Sequence, residues 1–519
     1  MTSNIMLVLH SHIPYVKRQG RWPFGEVWLF EAMAETYIPF LRSWYTLKEE
    51  KIDAPITLSF SPTLLEQLNS KYIQQEFITY LKEREEAALK DERYFVSQSE
   101  LEMAAVAASY NRFYKDVRRD FVGEFDCNII QAVKDLQDEG RIEVITTAAS
   151  HAYLPLLDQS SLEHQIVGGK KAYEKYFERE PRGFWLPECG YFQGIEDMLQ
   201  EQGIHYFFVD SHGVEGGKPL GDSSPGVECE GFELESFKNT GLSTYRPYRI
   251  KNKDIMVLGR NAMVSHQVWS ADSGYPGDGY YREFHKEFPG SGLKYWRVTD
   301  RYNSLDKKLI YSPEQADRKA YQHAVHFVNS LETTGKEATR MGYPNPLIVG
   351  CYDTELFGHW WWEGVRWLEE MVRVITDHKD LQFILPSQIS SDLEEAEVFE
   401  SSWGMGGKHY VWDNQETNWM WEVIRGANQE FNAINHNEIH NEIGEKAYSQ
   451  ALRELILIES SDWLFMVSNN HTRDYAMKRF FEHYAKFLKL TNVIHEATYS
   501  KGFIEWLDRV QMEDDFLYE

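Results

Sequence analysis

The chain is poor in cysteine and lacks any long apolar run, and both shortages narrow what it can be. Its four cysteines in 519 residues, Cys127, Cys189, Cys229 and Cys351, are scattered without CxxC spacing, which argues against a zinc ribbon and a disulfide framework; free thiols are expected. The apolar run nearest the N-terminus, residues 5–9, is too short for a signal core or a membrane span, so a cytoplasmic location is expected. Positive charge is also scarce: 54 Lys and Arg stand against 81 Asp and Glu, a net charge of −27. Such a surface repels nucleic acid and anionic membranes, and points to a neutral or cationic ligand. Internal repeats and low-complexity tracts are missing, and the glycines from Gly404 to Gly407 lack the strand-to-helix context of a nucleotide site.

What the chain has in quantity is aromatic residues, 14% of the total with 16 Trp and 30 Tyr. That supply suits stacking on the apolar faces of sugar rings, although a large core uses aromatics too. Seven short apolar runs, at 5–9, 56–60, 142–147, 183–187, 204–209, 255–258 and 347–349, alternate with stretches of helical spacing, and 381–385 is a candidate extra strand. The pattern predicts an α/β fold, an incomplete (β/α)7 barrel over residues 1–400, with a helical insertion at about 64–137 and a C-terminal all-helical domain over 401–519.

In a barrel of parallel strands, functional side chains sit just past the C-terminal strand ends. The run at 347–349 passes directly into Cys351-Tyr-Asp353-Thr-Glu355-Leu-Phe-Gly-His359 and then Trp360, Trp361 and Trp362. Asp353 fits a catalytic acid or the N-cap of the next helix, and Trp360 fits a sugar contact or a core residue. Three adjacent tryptophans cannot share one helix face, so at least one points elsewhere. The first strand delivers His10 and His12, a pair that suits hydrogen bonds to substrate hydroxyls or a zinc ion. His151 follows the third strand, and Glu188 follows the fourth as a catalytic carboxylate or a helix cap. Asp210-Ser-His212 ends the fifth strand, Arg260 the sixth, and residues 213–235 have the composition of a mobile lid. Asp462, between two helices of the C-terminal region, either reaches over the barrel rim or caps a helix.

Two strand-end carboxylates, Glu188 and Asp353, are what glycoside cleavage requires, but their separation and division of roles are not readable from spacing. A metal-dependent deacetylase would instead use His10, His12, His151 and Asp353, while a silent glucan-binding protein would keep the aromatics without needing both acids.

The ordered set His10-Ser-His12-Ile-Pro14, residues 143–151, Trp185-Leu-Pro-Glu188, Tyr352-Asp353-Thr-Glu-Leu-Phe-Gly-His359 and Trp403-Gly through Trp412 closely resembles the five motif regions of glycoside hydrolase family 57, over essentially the whole chain. Within that family it is most similar to the 1,4-alpha-glucan (glycogen) branching enzymes, sharing the Trp-Pro-Phe-Gly-Glu run at Trp22 and the Gln-Val-Trp-Ser-Ala-Asp run at Gln267. The resemblance implies a retaining mechanism with Glu188 as nucleophile and Asp353 as general acid/base, no metal or other cofactor, and an alpha-1,4-glucan as both substrate and acceptor. It further implies glucan contacts at Trp28, Arg260, Trp269, Gly277, Trp403, Trp412 and Asp462, with His471 standing where a relative carries glutamine. Branching members resemble one another in carrying a tyrosine on a mobile loop over the cleft, whereas residues 218–237 here hold Phe232 and Phe237 but no tyrosine. Hydrolysis is therefore expected beside transfer, and a hydrolase or 4-alpha-glucanotransferase of the same family is the alternative.

Overall fold

A computed structural model of the chain describes residues 2–219, 236–270, 274–436, 439 and 441–517. Most of the loop at 218–237 and Asp272 therefore lie outside the described residues. Ten strands run in chain order as β1 (Ser3–Ser11), β2 (Ile56–Phe60), β3 (Ile142–Thr147), β4 (Gly183–Trp185), β5 (Tyr206–Val209), β6 (Tyr248–Ile250), β7 (Met256–Gly259), β8 (Leu347–Asp353), β9 (Leu381–Phe383) and β10 (Glu395–Ala396). Seven of them coincide with the apolar runs and lie side by side, all parallel, in the order β7-β5-β4-β3-β2-β1-β8. Asn261 N donates to Val349 O at 2.7 Å, bringing the end of β7 against β8 so that the sheet curls back on itself. β9 pairs with β1, while β6 and β10 extend the β7 edge. β6 and β10 were not expected, because strands of three and two residues carry too little alternation to read.

The strands read as apolar runs because both faces of the sheet are buried: Ile5, Leu7 and Leu9 pack with helix residues such as Leu29 and Phe30, and Met6 and Val8 pack with Ile145, Phe208, Leu258 and Val349 of other strands. All but one residue of β1 are buried, and β2, β3 and β4 are buried throughout. Between β2 and β3 come the helices Pro62–Asn69, Lys71–Ser97, Leu101–Arg119 and Ile129–Asp138, in the stretch read as a helical insertion. Ser61 and Pro62 start the first of them by the expected chemistry: the Ser61 hydroxyl accepts from Leu64 N, and Pro62 sits where no N–H is needed. Gly169 lets the helix Gln159–Phe177 close onto β3, since a Cβ there would collide with Thr147 O, and the Thr146 hydroxyl donates to Gly169 O at 2.7 Å.

Five helices, Asn418–Asn432, Glu442–Ile458, Ser461–Ser468, Arg473–Glu496 and Lys501–Glu513, form the C-terminal domain. Its core residues Trp421, Leu455, Trp463 and Phe480 are continuous with Met6, Val8 and Trp185 of the barrel. Polar contacts pin the same seam: the Ser150 hydroxyl donates to Ile456 O at 2.5 Å and Gln165 Nε2 to Glu459 Oε2 at 2.7 Å. The helical domain is thus docked on the rim where the strand ends emerge. No helix among the described residues is long and apolar enough to cross a membrane.

Candidate active site

β4 stops at Trp185 because Leu186-Pro187 turns the chain, and the next residue carries the first carboxylate. Glu188 and Cys189 both have left-handed backbone, with φ of 62° and 51°, a conformation uncommon for residues with a Cβ and found where a tight turn must aim a side chain. Trp403 holds Glu188 twice. Its backbone N–H donates to Glu188 O at 3.0 Å and its indole Nε1–H donates to Oε2 at 2.6 Å. Oε1 is left facing His151, whose Nδ1 lies 3.9 Å away. Burial pushes the Glu188 carboxyl up to about 7; the Trp403 donor restrains that rise, Asp462 adds to it, and His12 and Ser461 oppose it.

Asp353 ends β8 directly opposite His10 of β1 in the register. Burial lifts its carboxyl well above the usual carboxylate range, and the neighbouring charges of Glu355 and Glu188 lift it further against the pull of Arg260. Glu355, two residues on, is 5% exposed; its Oε1 accepts from the Tyr37 hydroxyl and from His12 N at 3.1 Å. Burial raises it as well, to about 7, restrained by the Tyr37 hydroxyl.

The three strand-end histidines form one stack. His12 lies on His151 with ring centroids 4.0 Å apart, His151 on His10 at 4.8 Å, and Trp185 on His10 at 5.0 Å, all within 20° of parallel. Serines hold the rings: Ser59 is 3.0 Å from His10 Nδ1, Ser61 is 2.8 Å from His12 Nδ1, and Ser461 is 2.9 Å from His151 Nδ1. His12 Nε2 meets both carboxylate oxygens of Asp462, at 3.1 and 3.0 Å. Burial drives His10 and His151 well below the ordinary imidazole value, with repulsion from His12 adding to it. Burial opposes charge on His12 too, but Asp462, Glu355 and Glu188 outweigh it and raise the ring. A ring whose charged form is favoured is therefore layered with rings whose neutral form is favoured. The Nε2 atoms of His10 and His151 are buried without a partner, which suits them to a ligand's hydroxyls.

This arrangement does not suit a metal. A lone pair lies in its ring plane, so near-parallel stacked rings cannot aim three nitrogens at one ion, and His12 has spent both of its own. Among the described residues, the His, Cys, Asp and Glu side chains that do converge are Glu454, His483 and Asp514 in the helical domain, already bonded to Arg479 and Lys486. We expect activity to survive exhaustive treatment with EDTA; loss on chelation, restored by zinc, would overturn the reading of the histidines.

Comparison with known proteins assigns this geometry. Residues 6–401 match the sequence profile of glycosyl hydrolase family 57. The chain belongs to glycosyl hydrolase family 57. Residues 424–519 match the C-terminal region of 1,4-alpha-glucan branching enzymes. The family 57 chain is 38% identical, over 95% of its length and 74% of the relative's, to a 1,4-alpha-glucan branching enzyme from Thermococcus kodakarensis. A crystal structure of a family 57 branching enzyme from that organism, in complex with glucose and additives, superposes with a TM-score of 0.91 at 35% identity, covering 100% of this chain and 95% of the other. A novel alpha-amylase from Thermotoga maritima superposes with a TM-score of 0.83 at 29% identity, covering 99% and 97% of the two chains.

The remaining residues expected in this family 57 site fall into three groups. Some join the carboxylates: Asp462 through His12, Trp403 through Glu188, and Arg260, buried at the end of β7, 3.5 Å from Asp210 and 5.2 Å over the Trp403 ring. Others stand on the surface: Trp360 is 56% exposed and stacks on Phe284 at 5.0 Å, turned outward after Gly358, whose φ of 110° and contact with Glu35 O leave no space for a Cβ. Trp361 is buried and Trp362 lies under Arg282, so the three tryptophans do diverge. Trp28 packs edge-on against Tyr475 at 5.2 Å, and Trp269 is half-buried at the end of the helix Ala262–Trp269. For a third group the structure shows other surroundings. Trp412 is 1% exposed and stacked on Tyr153 at 4.1 Å, so it offers a sugar no open face. Gly277 belongs to a turn whose Tyr275 packs on the helix Pro313–Arg340, and His471 is exposed on the turn before the helix Arg473–Glu496. Tyr37 and the serines at 59, 61 and 461 escaped the sequence reading, because a hydroxyl carries no pattern until its partner is known.

Proposed function

We propose that this family 57 protein is a 1,4-alpha-glucan branching enzyme that works by retaining double displacement. The observation that carries the proposal is a pair of buried strand-end carboxylates in different surroundings. Glu188, pushed up to about 7 by burial, has a donor on Oε2 that favours its anion, whereas Asp353 is lifted well above the usual carboxylate range by burial and by its like-charged neighbours. Glu188 Oε1 attacks the sugar C1 while Asp353 gives its proton to the departing glycosidic O4, forming a glycosyl-enzyme ester. The Asp353 carboxylate then takes the proton of an incoming 6-hydroxyl, whose oxygen attacks C1; the alpha-1,6 bond forms as the C1–Oε1 bond breaks, and both residues return to their starting states. Likeness to the Thermococcus branching enzyme and the matching C-terminal region support an alpha-1,4-glucan as substrate and acceptor.

A second reading, alpha-glucan hydrolysis, is favoured by the likeness to the Thermotoga alpha-amylase and by the absence of tyrosine from residues 218–237. The two readings differ in what meets the glycosyl-enzyme, a sugar hydroxyl or water. Incubation with amylose separates them when iodine stain, reducing ends and isoamylase-released chains are read together. We expect the stain to fall with short chains released by isoamylase and with a minor, measurable rise in reducing ends. A rise in reducing ends that accounts for the whole loss of stain would leave the hydrolase reading standing.

A further inference from the structure

The mechanism above leaves one buried carboxylate of the site without a task. Glu355 lies on the 3-10 turn Thr354–Leu356, and β8 with its register to β1 fixes where that turn starts. The Ser11 hydroxyl, 2.7 Å from that of Thr354, ties the turn to the end of β1. The carboxylate is buried and met by defined groups: the Tyr37 hydroxyl from the π-helical segment Met33–Tyr37 and the His12 N–H just past β1, with Asp353 two residues before it at the end of β8. Asp462 bonds the His12 ring, and Glu188 and Arg260 also act on the charge of Asp353. Burial holds the Tyr37 hydroxyl far above its ordinary range, so that group stays a donor and favours Glu355 as an anion. Placing an acid here, beside another acid, costs stability that an amide of the same shape would not. The fold keeps the charge and supplies it with two hydrogen bonds.

We propose that Glu355 is a positioning residue that holds the proton on Asp353: its carboxylate, hydrogen-bonded by Tyr37 and His12, makes ionisation of Asp353 unfavourable until the glycosidic oxygen, gaining charge as its bond breaks, takes the proton. The same repulsion makes the Asp353 carboxylate a stronger base when the acceptor hydroxyl arrives. Glu355 acts through Asp353 and forms no bond to the substrate. The inference rests on Asp353 being the acid/base.

The test is the pH profile of kcat/KM on amylose, whose sugar leaving group needs the acid, measured on the full chain. Its alkaline limb reports loss of the proton from Asp353. In Glu355→Gln that limb should move to lower pH by about one to two units, as expected when a neighbouring like charge is removed. In Glu355→Asp, which keeps the charge, it should stay near the wild-type position even if kcat falls. A residue that merely shapes the turn would lower activity in both variants and leave the limb in place, and that result overturns the proposal. Should Glu355→Gln fail to fold, the protonated-carboxyl infrared band of the wild type is titrated against that of Asp353→Asn. The carboxyl lost from the difference should titrate well above the ordinary carboxylate range, and titration within that range overturns the proposal. If Asp353→Ala retains activity, the acid/base reading itself falls; if Asp353→Ala is inactive while Glu355→Gln leaves the limb unmoved, only the role of Glu355 falls.

Discussion

Glu188→Ala should lower turnover on glucan by about 10⁴-fold or more, because the variant loses the atom that forms the covalent intermediate. The cavity left beside Trp403 and His151 should then admit a small anion. Added azide should restore part of the activity on an activated glucoside and give the glycosyl azide of inverted configuration, since azide attacks from the face that the carboxylate occupied. Asp353→Ala should behave differently. Its loss should be large on glucan, whose leaving oxygen needs a proton, and much smaller on substrates with good leaving groups; azide should there give the azide of retained configuration, by attack on the glycosyl-enzyme. Exchange of the two patterns between the variants would reverse the roles assigned here, while equal indifference to both changes would remove the site.

The second large effect is expected at Trp403, which the resemblance implies as a glucan contact and which the structure bonds to Glu188. Trp403 is 7% exposed and its indole N–H is spent on Glu188 Oε2 at 2.6 Å. A hydrogen bond from a neutral donor to a buried carboxylate contributes on the order of 1.5–3 kcal/mol. Trp403→Phe keeps the ring and removes the donor, so kcat/KM at neutral pH should fall by roughly 10- to 100-fold. The sign of the pH effect follows from which form is stabilised: the donor favours the anion, its loss raises the carboxyl above the present value of about 7, and the acid limb must move to higher pH. Activity should therefore recover in part on raising the pH. An activity loss with the acid limb unmoved would show that Trp403 serves only as packing.

How the site is held also bears on the helical domain. His12 belongs to the end of β1 and Asp462 to the helix Ser461–Ser468, 450 positions apart in the chain. Their pairing, with Ser461 on His151, makes the C-terminal domain part of the electrostatics of the barrel rim.

The strand runs and the strand-end rule were legible in the sequence because they are local. A parallel strand buried on both faces must be apolar along its length, and the residue at its C-terminal end must face the rim, so the runs at 142–147, 183–187 and 347–349 lead directly to His151, Glu188 and Asp353. The divergence of Trp360, Trp361 and Trp362 arises instead in the turn that precedes the helix Gly364–Thr376. Partner choice was not local, and only the tertiary structure decided it. That Trp403 donates to Glu188, that Trp412 is sealed against Tyr153, that the His12 ring is raised while His10 and His151 are lowered, and that Glu355 accepts from Tyr37 and His12 all depend on which distant groups meet them in a buried space. A residue's type states what bonds and charges it can carry. Its burial, and the neighbours that burial brings within about 3 Å, decide which of them it does carry.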